Sequence, residues 1–209
     1  MSFYRYSAYR QGRKMKGMES ILFLGLIITM LTSGVNRTVT TATEIRSETL
    51  RLHIIANSDS DFDQNLKLKV RDKVLEATGE LFAEVSGKTE ALAAAEYSAD
   101  DIKAIAEEVV AEEGFDYPVQ VEVTEMWFET REYENFALPA GDYDTVRIII
   151  GAGEGKNWWC VMYPSICIPG AEENIEKYGE NVRFITGSGY EIRFAIIELA
   201  EQIKRLFIK

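Results

Sequence analysis

The sequence contains few of the histidine and cysteine residues on which metal binding and nucleophilic catalysis often depend. Its 209 residues include one histidine, two cysteines and four prolines. The single histidine, His53, cannot supply a zinc site that needs several histidine ligands. The chain also lacks a strongly apolar run of about 20 residues, the length that a membrane-spanning helix usually requires. These absences narrow the possible chemistry before any motif is considered.

The amino-terminal residues have the layout of an export signal. An apolar run over 21–31 is followed by small residues and preceded by basic ones, which are Arg5, Arg10, Arg13, Lys14 and Lys16. The positive charge before the run predicts that the amino terminus stays in the cytoplasm while the rest crosses the membrane. Two outcomes remain open: the segment is cleaved after export, or residues 18–35 are retained as a membrane anchor.

This pattern predicts three parts. Residues 1–34 form the basic segment and the signal, residues 35–47 form a threonine-rich linker, and residues 48–209 form one extracytoplasmic domain. The hydrophobic fraction of 46% is sufficient to build a core in a domain of this size. The formal net charge of -11 disfavours nucleic acid and anionic lipid as partners, because both are negatively charged.

The order of the predicted elements indicates an α+β fold, with helices packed on a mixed β-sheet. Residues 50–56 are typical of a buried strand, and a helix capped by Ser60 with Asp63 is predicted to follow. Its apolar residues form two stripes, the first from Phe62 to Leu81 and the second made of Leu68, Leu75 and Phe82.

The second half of the chain has the alternation of strands. It predicts an antiparallel three-strand meander, in which a glycine-rich hairpin at 151–155 joins the last two strands. A shift of parity near 124–126 predicts a β-bulge in the first of them. A carboxyl-terminal helix is predicted from a stripe of Ile192, Ile196, Leu199, Ile203 and Leu206.

Two motifs are similar to ligand sites but fail in detail. Asn57, Asp59, Asp61 and Asp63 alternate as calcium ligands do, yet the glycine and the glutamate that a calcium loop requires are missing. The segment 151–157 lacks the Ser or Thr of a phosphate loop and precedes a strand instead of a helix. No cofactor or metal is therefore predicted.

Cys160 and Cys167 admit three interpretations. In an oxidising compartment the pair is predicted to form a disulfide bond. Two free thiols are the second possibility. The third is a nucleophilic Cys160 with His53 as its base, which would make the protein an exported thiol hydrolase.

Trp158 and Trp159 are neighbours in a predicted strand. Their side chains are therefore expected on opposite faces of the sheet, so one core cannot bury both. The remaining ring is left for a second layer of the protein or for a partner, and an exposed tryptophan often anchors an interface.

Two blocks of the sequence resemble the stage II sporulation protein R family. The first block is Leu50–Ser60 with Asp63–Asp72, and the second is Leu138–Tyr143, Gly155–Val161, Pro164 and Cys167. The resemblance covers about residues 50–167, and the export signal in front agrees with it. It implies a protein of an endospore-forming bacterium, made in the forespore and exported into the space between the forespore and mother-cell membranes.

The resemblance also implies a partner and a function. The exported domain would activate a membrane-embedded aspartic protease of the mother cell, of the stage II sporulation protein GA type, which then cleaves the pro-sequence of sigma-E. The family contributes no catalytic residues, so neither an enzymatic activity nor a small-molecule substrate is expected. The surface predicted to contact the protease contains Asn57, Asp59, Trp158 and Trp159, beside the loop between the two cysteines.

Overall fold

The residues described in a computed structural model of the protein are 20–30, 33–34, 39–133, 137–164 and 198–199. They belong to two compact units that divide between Thr41 and Ala42. In the first unit, residues 20–30 are helical and their large apolar side chains are exposed. No helix in the described part of the chain is long and apolar enough to cross a membrane. Of the predicted carboxyl-terminal helix, only residues 198–199 are described, and they are helical.

The second unit begins at Ala42 instead of at the predicted residue 48. Residues 42–47 are helical, Ala42 and Ile45 are buried, and Arg46 Nη1 donates a hydrogen bond to Ala140 O at 2.8 Å. Two buried apolar side chains are too few to give a periodic pattern, which is why the sequence indicated a linker. Residues 42–47 are therefore part of the folded unit.

A four-stranded mixed sheet with the strand order β2-β5-β1-β6 forms the centre of this unit. Strand β1 is parallel to β5 and antiparallel to β6, β2 is antiparallel to β5, and the short β3 and β4 pair with each other. The strands are β1 (Leu50–Ile55), β2 (Val119–Phe128), β3 (Arg131–Glu132), β4 (Ala137–Leu138), β5 (Gly141–Ile150) and β6 (Asn157–Tyr163).

The predicted α+β fold class is confirmed, but the predicted three-strand meander is wrong because β1 lies between β5 and β6. All six residues of β1 are buried, and such a strand is most stable inside a sheet, with a neighbour at each edge. The segment 151–155 is consequently not a hairpin turn. It passes over the carboxyl end of β1, where Glu154 N donates to Asn57 O at 3.2 Å and Gly155 N donates to Ala56 O at 2.9 Å.

Three helices pack against one face of the sheet: α1 (Asp61–Glu84), α2 (Lys88–Tyr97) and α3 (Ala99–Glu112). Ser60 caps α1 as predicted, because its Oγ accepts a hydrogen bond from Asp63 N at 3.2 Å. The carboxylates of Asp61 and Asp63 in the first turn interact favourably with the positive end of the helix dipole.

The two faces of the sheet differ in chemistry. The face toward the helices is apolar, with side chains from all four strands that include Leu50, Leu52, Ile54, Val119, Val146, Ile148, Ile150, Cys160 and Met162. The opposite face, called here the second face, carries Arg51, His53 and Thr145, all of them buried. Strand β1 therefore supplies apolar and polar side chains to different layers.

The predicted β-bulge in β2 is wrong. The register of β2 with β5 runs without interruption from Val119 to Phe128. The parity changes because the environment changes: Glu125, on the helix face, is exposed, while Met126 and Phe128 lie on the second face with Tyr143. When the covered face of a strand changes along its length, the apolar residues shift by one position, as they also do when a bulge inserts a residue.

Replacement of Ile45 tests whether residues 42–47 belong to the folded unit. Ile45 is 5% exposed, so Ile45→Ala should lower the free energy of unfolding by about 2–5 kcal/mol. Glu44→Ala, at an exposed position of the same helical segment, should change it by less than about 0.5 kcal/mol. Urea unfolding of the full chain, followed by tryptophan fluorescence, measures both. If both substitutions changed the free energy of unfolding equally and only slightly, residues 42–47 would belong to the linker and not to the folded unit.

Candidate functional site

The turn that follows β1 is joined by hydrogen bonds to the glycine-rich segment. Asn57 Oδ1 accepts a hydrogen bond from Ala152 N at 2.9 Å, and Asp59 Oδ1 accepts one from Lys156 N at 2.7 Å. Two of the four predicted contact residues, Asn57 and Asp59, therefore stabilise the connection between β5 and β6. Both side chains thus have a structural role within the protein itself.

Glycine is required where these two loops touch. Gly151 has a φ of +61°, a left-handed conformation that favours glycine, and a Cβ there would collide with the Asn57 side chain. A Cβ at Gly155 would collide with the carbonyl oxygen of Ser58, a backbone atom that cannot rotate away. Packing against the turn thus explains the glycines without a phosphate ligand.

Asp63 connects the same turn to α1. Its Oδ2 accepts hydrogen bonds from Asn57 Nδ2 at 2.9 Å and from Ser58 Oγ at 2.5 Å. Burial alone would raise the pKa of Asp63, but these hydrogen bonds outweigh burial and hold the pKa below its usual value. Among the described residues, no three His, Cys, Asp or Glu side chains are grouped closely enough to hold a metal ion.

The two tryptophans lie beside this turn, at the end of the sheet where β1 finishes and β6 begins. In the register of β1 with β6, Ile54 is opposite Trp158 and His53 is opposite Trp159. As predicted, the rings are on opposite faces: Trp158 is on the helix face and Trp159 is on the second face. Both are half-buried, so each ring packs against the protein and still has accessible surface.

Trp158 borders an open groove of about 830 Å³ that is otherwise lined by side chains of α1 and of the carboxyl end of α3. The guanidinium carbon of Arg71 lies 4.9 Å from the centre of its ring, in the range of a cation–π contact. Charged side chains along the groove pair with each other, as Lys69 does with Glu113. The groove therefore offers an aromatic surface but little unbalanced charge.

Trp159 is the centre of an aromatic and cationic group of residues. Its ring stacks on His53, with centroids 3.8 Å apart and 15° between the planes, and Phe128 meets it edge-on at 4.9 Å. The guanidinium carbon of Arg131 lies 5.4 Å from the centre of the Trp159 ring. We call Arg51, His53, Phe128, Arg131 and Trp159 the second-face cluster.

Arg51 is fully buried within this cluster. Its guanidinium carbon lies 3.9 Å from the centre of the Phe128 ring and 5.1 Å from that of Tyr143. Nη2 donates to Tyr133 Oη at 2.5 Å, whereas Nε and Nη1 have no hydrogen-bond partner among the described residues. Burial lowers the pKa of Arg51 below its usual value, and the positive charge of Arg131 acts in the same direction.

His53 is neutral near pH 7, because burial lowers its pKa to about 4. Its Nε2 lies 2.9 Å from Asn157 Oδ1, an acceptor, so the proton is assigned to Nε2. The other ring nitrogen, Nδ1, has no partner in the described part of the chain. In this state His53 serves as an aromatic packing group for Trp159.

The alternative of a hydrolase that uses Cys160 and His53 is contradicted by the strand register. Cys160 is opposite Leu52 and is buried in the core under the helices, whereas His53 lies on the second face. The sheet separates the sulfur from the imidazole, so His53 cannot act as its base. No described cysteine is a free thiol. Cys167 lies outside the described residues, so its bond to Cys160 stays a prediction.

Sequence reasoning missed Arg51 and Arg131. Strand β1 was interpreted through its apolar residues, which occupy alternate positions. Arg51 and His53 are two positions apart and therefore share the face opposite Leu52. This pair of polar residues in an otherwise apolar strand is the signal that could have indicated a second layer.

Comparison with known proteins agrees with the resemblance. The profile of the family described as stage II sporulation protein R matches residues 46–173, more than half of the chain. The chain belongs to this family. Stage II sporulation protein R of Bacillus subtilis (strain 168) is 38% identical over 123 residues, which make up 59% of this chain and 55% of that protein. The match thus spans little more than half of the relative's length, and no solved structure is significantly similar to the chain.

The family match contains the whole described sheet. It begins at Arg46 and continues beyond β6, so it includes the turn after β1, both tryptophans and the second-face cluster. The stage II sporulation protein R family is a family of sporulation factors. The arrangement described above is therefore that of a sporulation protein.

Alanine at Gly155 should separate the two loops that meet at the end of β1. Because its Cβ would collide with Ser58 O, we expect Gly155→Ala to lower the free energy of unfolding by about 1–3 kcal/mol. Gly87→Ala is the matched control, since no atom lies within 4 Å of the Cβ position there. Thermal and urea unfolding measure both variants. Equal stability of the two would contradict the close contact.

The buried His53 predicts a loss of stability below neutral pH. Its pKa is about 4 in the folded protein and about 6.5 in the unfolded chain, so the unfolded chain takes up the proton first. Stability should be complete above about pH 6.5 and should fall toward pH 4, by at most about 1.4 kcal/mol per pH unit. His53→Phe, which keeps a ring against Trp159, should remove this component.

Urea unfolding of both proteins at about pH 7.5 and about pH 5 measures the difference. This interval stays above the usual pKa of aspartate, so Asp63 contributes little to it. The same loss of stability in the two proteins would show that His53 is not the group that titrates.

Proposed function

We propose that this protein is an exported signal of endospore formation that activates a membrane-embedded aspartic protease in the mother cell. The protease is of the stage II sporulation protein GA type, and it removes the pro-sequence of sigma-E. The observation that carries the proposal is the family match over residues 46–173, which contains the folded sheet and its helices.

The proposed location is the space between the forespore and mother-cell membranes. Support comes from the basic segment and the apolar run that precede the folded unit, because this order directs export. The helical residues 20–30 expose their apolar side chains, which suits a segment that enters a membrane. In either form, cleaved or anchored by about residues 18–35, the folded unit lies on the far side of the membrane.

Activation by binding needs no catalytic group in the activator. A ligand shifts its partner toward the active state if it binds that state more tightly than the inactive one. The separation of Cys160 from His53 supports this mode of action over a thiol enzyme. Confinement between two membranes raises the effective concentration, so a modest affinity would suffice.

A disulfide bond between Cys160 and Cys167 suits this location. Cys160 is fully buried and is not a free thiol, which supports the bond. By chain entropy, closing so short a loop contributes about 2–2.5 kcal/mol. The bond would fix the chain that follows β6 to the middle of that strand.

The proposed contact surface is the end of the sheet where the turn after β1 meets the tryptophans. Asn57 and Asp59 already bind the backbone of the glycine-rich segment, so their substitution would also disturb the fold. Trp158 and Trp159 are better probes because both are half-buried. They also lie on different faces, so they distinguish which side of the sheet meets the protease.

A deletion strain tests the proposed function. Removal of the gene should abolish cleavage of the sigma-E precursor, and expression of the full chain only in the forespore should restore it. Immunoblots of the precursor and the mature factor during sporulation are the measurement. Normal cleavage in the deletion strain would overturn the proposal.

The same strain compares the two tryptophans. Expression of Trp158→Ala or Trp159→Ala in the forespore should reduce cleavage at least about tenfold for the ring that contacts the protease. Tyr97→Ala is a matched control, because Tyr97 is 90% exposed and lies in α2. Protein levels of all variants are compared on the same blots. Normal cleavage with both tryptophan variants would show that neither ring is part of the contact surface.

A further inference from the structure

The second face of the sheet gathers positive charge in a protein whose net charge is -11. Arg51 and Arg147 occupy this face in the pairing of β1 with β5, and Arg131 packs against Trp159. Arg51 and Arg131 are close enough to repel each other. Arg131 contributes to the lowered pKa of Arg51, and Arg147 contributes to that of His53.

Few carboxylates balance this charge. Arg147 Nη1 pairs with Glu122 Oε1 at 2.9 Å, whereas Arg51 has no carboxylate partner among the described residues. On the helix side, in contrast, basic side chains are paired with acidic ones. These pairs are Lys69–Glu113, Lys73–Glu76, Lys88–Asp144 and Lys103–Glu107.

Unsatisfied polar atoms are concentrated on the same face. Five buried side-chain nitrogen or oxygen atoms lack a hydrogen-bond partner in the described part of the chain, and four of them belong to Arg51, His53 and Arg147. Buried donors without partners are costly, and folded proteins rarely leave them in a cluster. Three of the four atoms, Arg51 Nε and Nη1 and Arg147 Nε, are donors, whereas His53 Nδ1 is an acceptor in the assigned tautomer. Because these donors are buried, they do not contact a ligand directly; they indicate uncompensated positive charge beneath the second face, which favours an anion at its surface.

We propose that the second face is a docking surface for an acidic segment of a protein partner, whose carboxylates bind Arg131 and Arg147. Both residues are within reach, since Arg131 is exposed and the Arg147 side chain is 34% exposed. A guanidinium can bind a carboxylate through two parallel hydrogen bonds, which favours peptide carboxylates over a diffuse anionic surface. The half-buried Trp159 between His53 and Arg131 supplies an aromatic anchor.

Arg51 contributes from beneath this surface. It is fully buried, so it acts through its charge instead of through direct contact with the partner. A buried charge is screened by salt less than an exposed one, so its attraction for a carboxylate at the surface persists at physiological ionic strength. Identification of the partner with the mother-cell protease rests on the proposed function, whereas the docking surface itself does not.

Binding of a short fluorescent poly-glutamate peptide to the full chain in neutral detergent tests the surface. The double variant Arg131→Glu with Arg147→Glu should raise the Kd about tenfold or more. Lys69→Glu with Lys103→Glu is the matched control, because it makes the same change in charge and also breaks ion pairs. It should leave the Kd unchanged. Poly-glutamine of the same length should not bind, and free glutamate should not compete at similar concentration.

Several results would overturn the proposal. They are no binding of poly-glutamate by the unaltered chain, equal weakening in both double variants, and equal binding of poly-glutamine. Self-association that is lost with Arg131→Glu would overturn it too, because the surface would then join copies of this chain. Near-ultraviolet circular dichroism verifies folding, and Arg131→Glu alone replaces the double variant if that protein is unfolded.

Cleavage of the sigma-E precursor in cells separates this proposal from the proposed function. Loss of cleavage with the second-face double variant but not with the control would support the protease as the acidic partner. Normal cleavage with that variant would show that the protease is not the acidic partner. The deletion strain would still decide the proposed function. A deletion strain with normal cleavage would overturn the proposed function, and peptide binding would still decide the docking surface.

Discussion

Burial of β1 on both sides is the constraint around which the second unit is arranged. Its six residues are all buried, so the strand needs a neighbour at each edge and a covering layer on each face. Alternation then places Leu52 under the helices and Arg51 on the second face. A register shift of one residue would bring the Arg51 guanidinium into the apolar core at a large cost in desolvation. The arginine thus helps to specify the register of the sheet.

The central place of β1 also explains the glycine-rich segment. Because β1 separates β5 from β6, the chain must pass over the end of β1, where the turn 57–59 already lies. Close contact between the two loops requires glycine at positions such as Gly155. The two sequence blocks that resemble the sporulation family are distant along the chain but meet here. A contact between the two blocks, such as the hydrogen bond from Lys156 N to Asp59 Oδ1, explains why both blocks occur in one sequence.

Local features could be predicted from the sequence, whereas strand neighbours could not. The Ser60 cap and the opposite placement of the tryptophans depend on spacings of a few residues, and both predictions are confirmed. Alternation identifies strands but does not say which strand lies beside which, so the insertion of β1 between β5 and β6 was missed. That pairing depends on burial across distant parts of the chain.

The apolar stripes of α1 show a similar limit. The two predicted stripes are both buried in the middle of α1, at Val74 of the first and Leu75 of the second. At the two ends of the first stripe, however, Phe62 is 77% exposed and Leu81 is 40% exposed. An apolar stripe predicts a helix that is covered along its whole length. The 24 residues of α1 extend over about 36 Å, whereas a four-stranded sheet is only about 15–20 Å wide, so the ends of α1 are not covered by the sheet. The same reasoning applies to Arg51, whose aromatic surroundings come from strands far away in sequence.

The acidic character of the chain and its cationic sheet face have opposite effects on an acidic partner. At distances beyond the Debye length of about 8 Å, the net charge of -11 is largely screened, so it slows the approach only slightly. At contact, the nearby arginines dominate. Arg51 has already lost its water on folding, and the rings of Phe128 and Tyr143 offset part of that loss. An arriving carboxylate therefore gains attraction without a further cost of dehydrating Arg51, which is the advantage of a preorganised charge. Such a surface favours selectivity at contact over rapid capture.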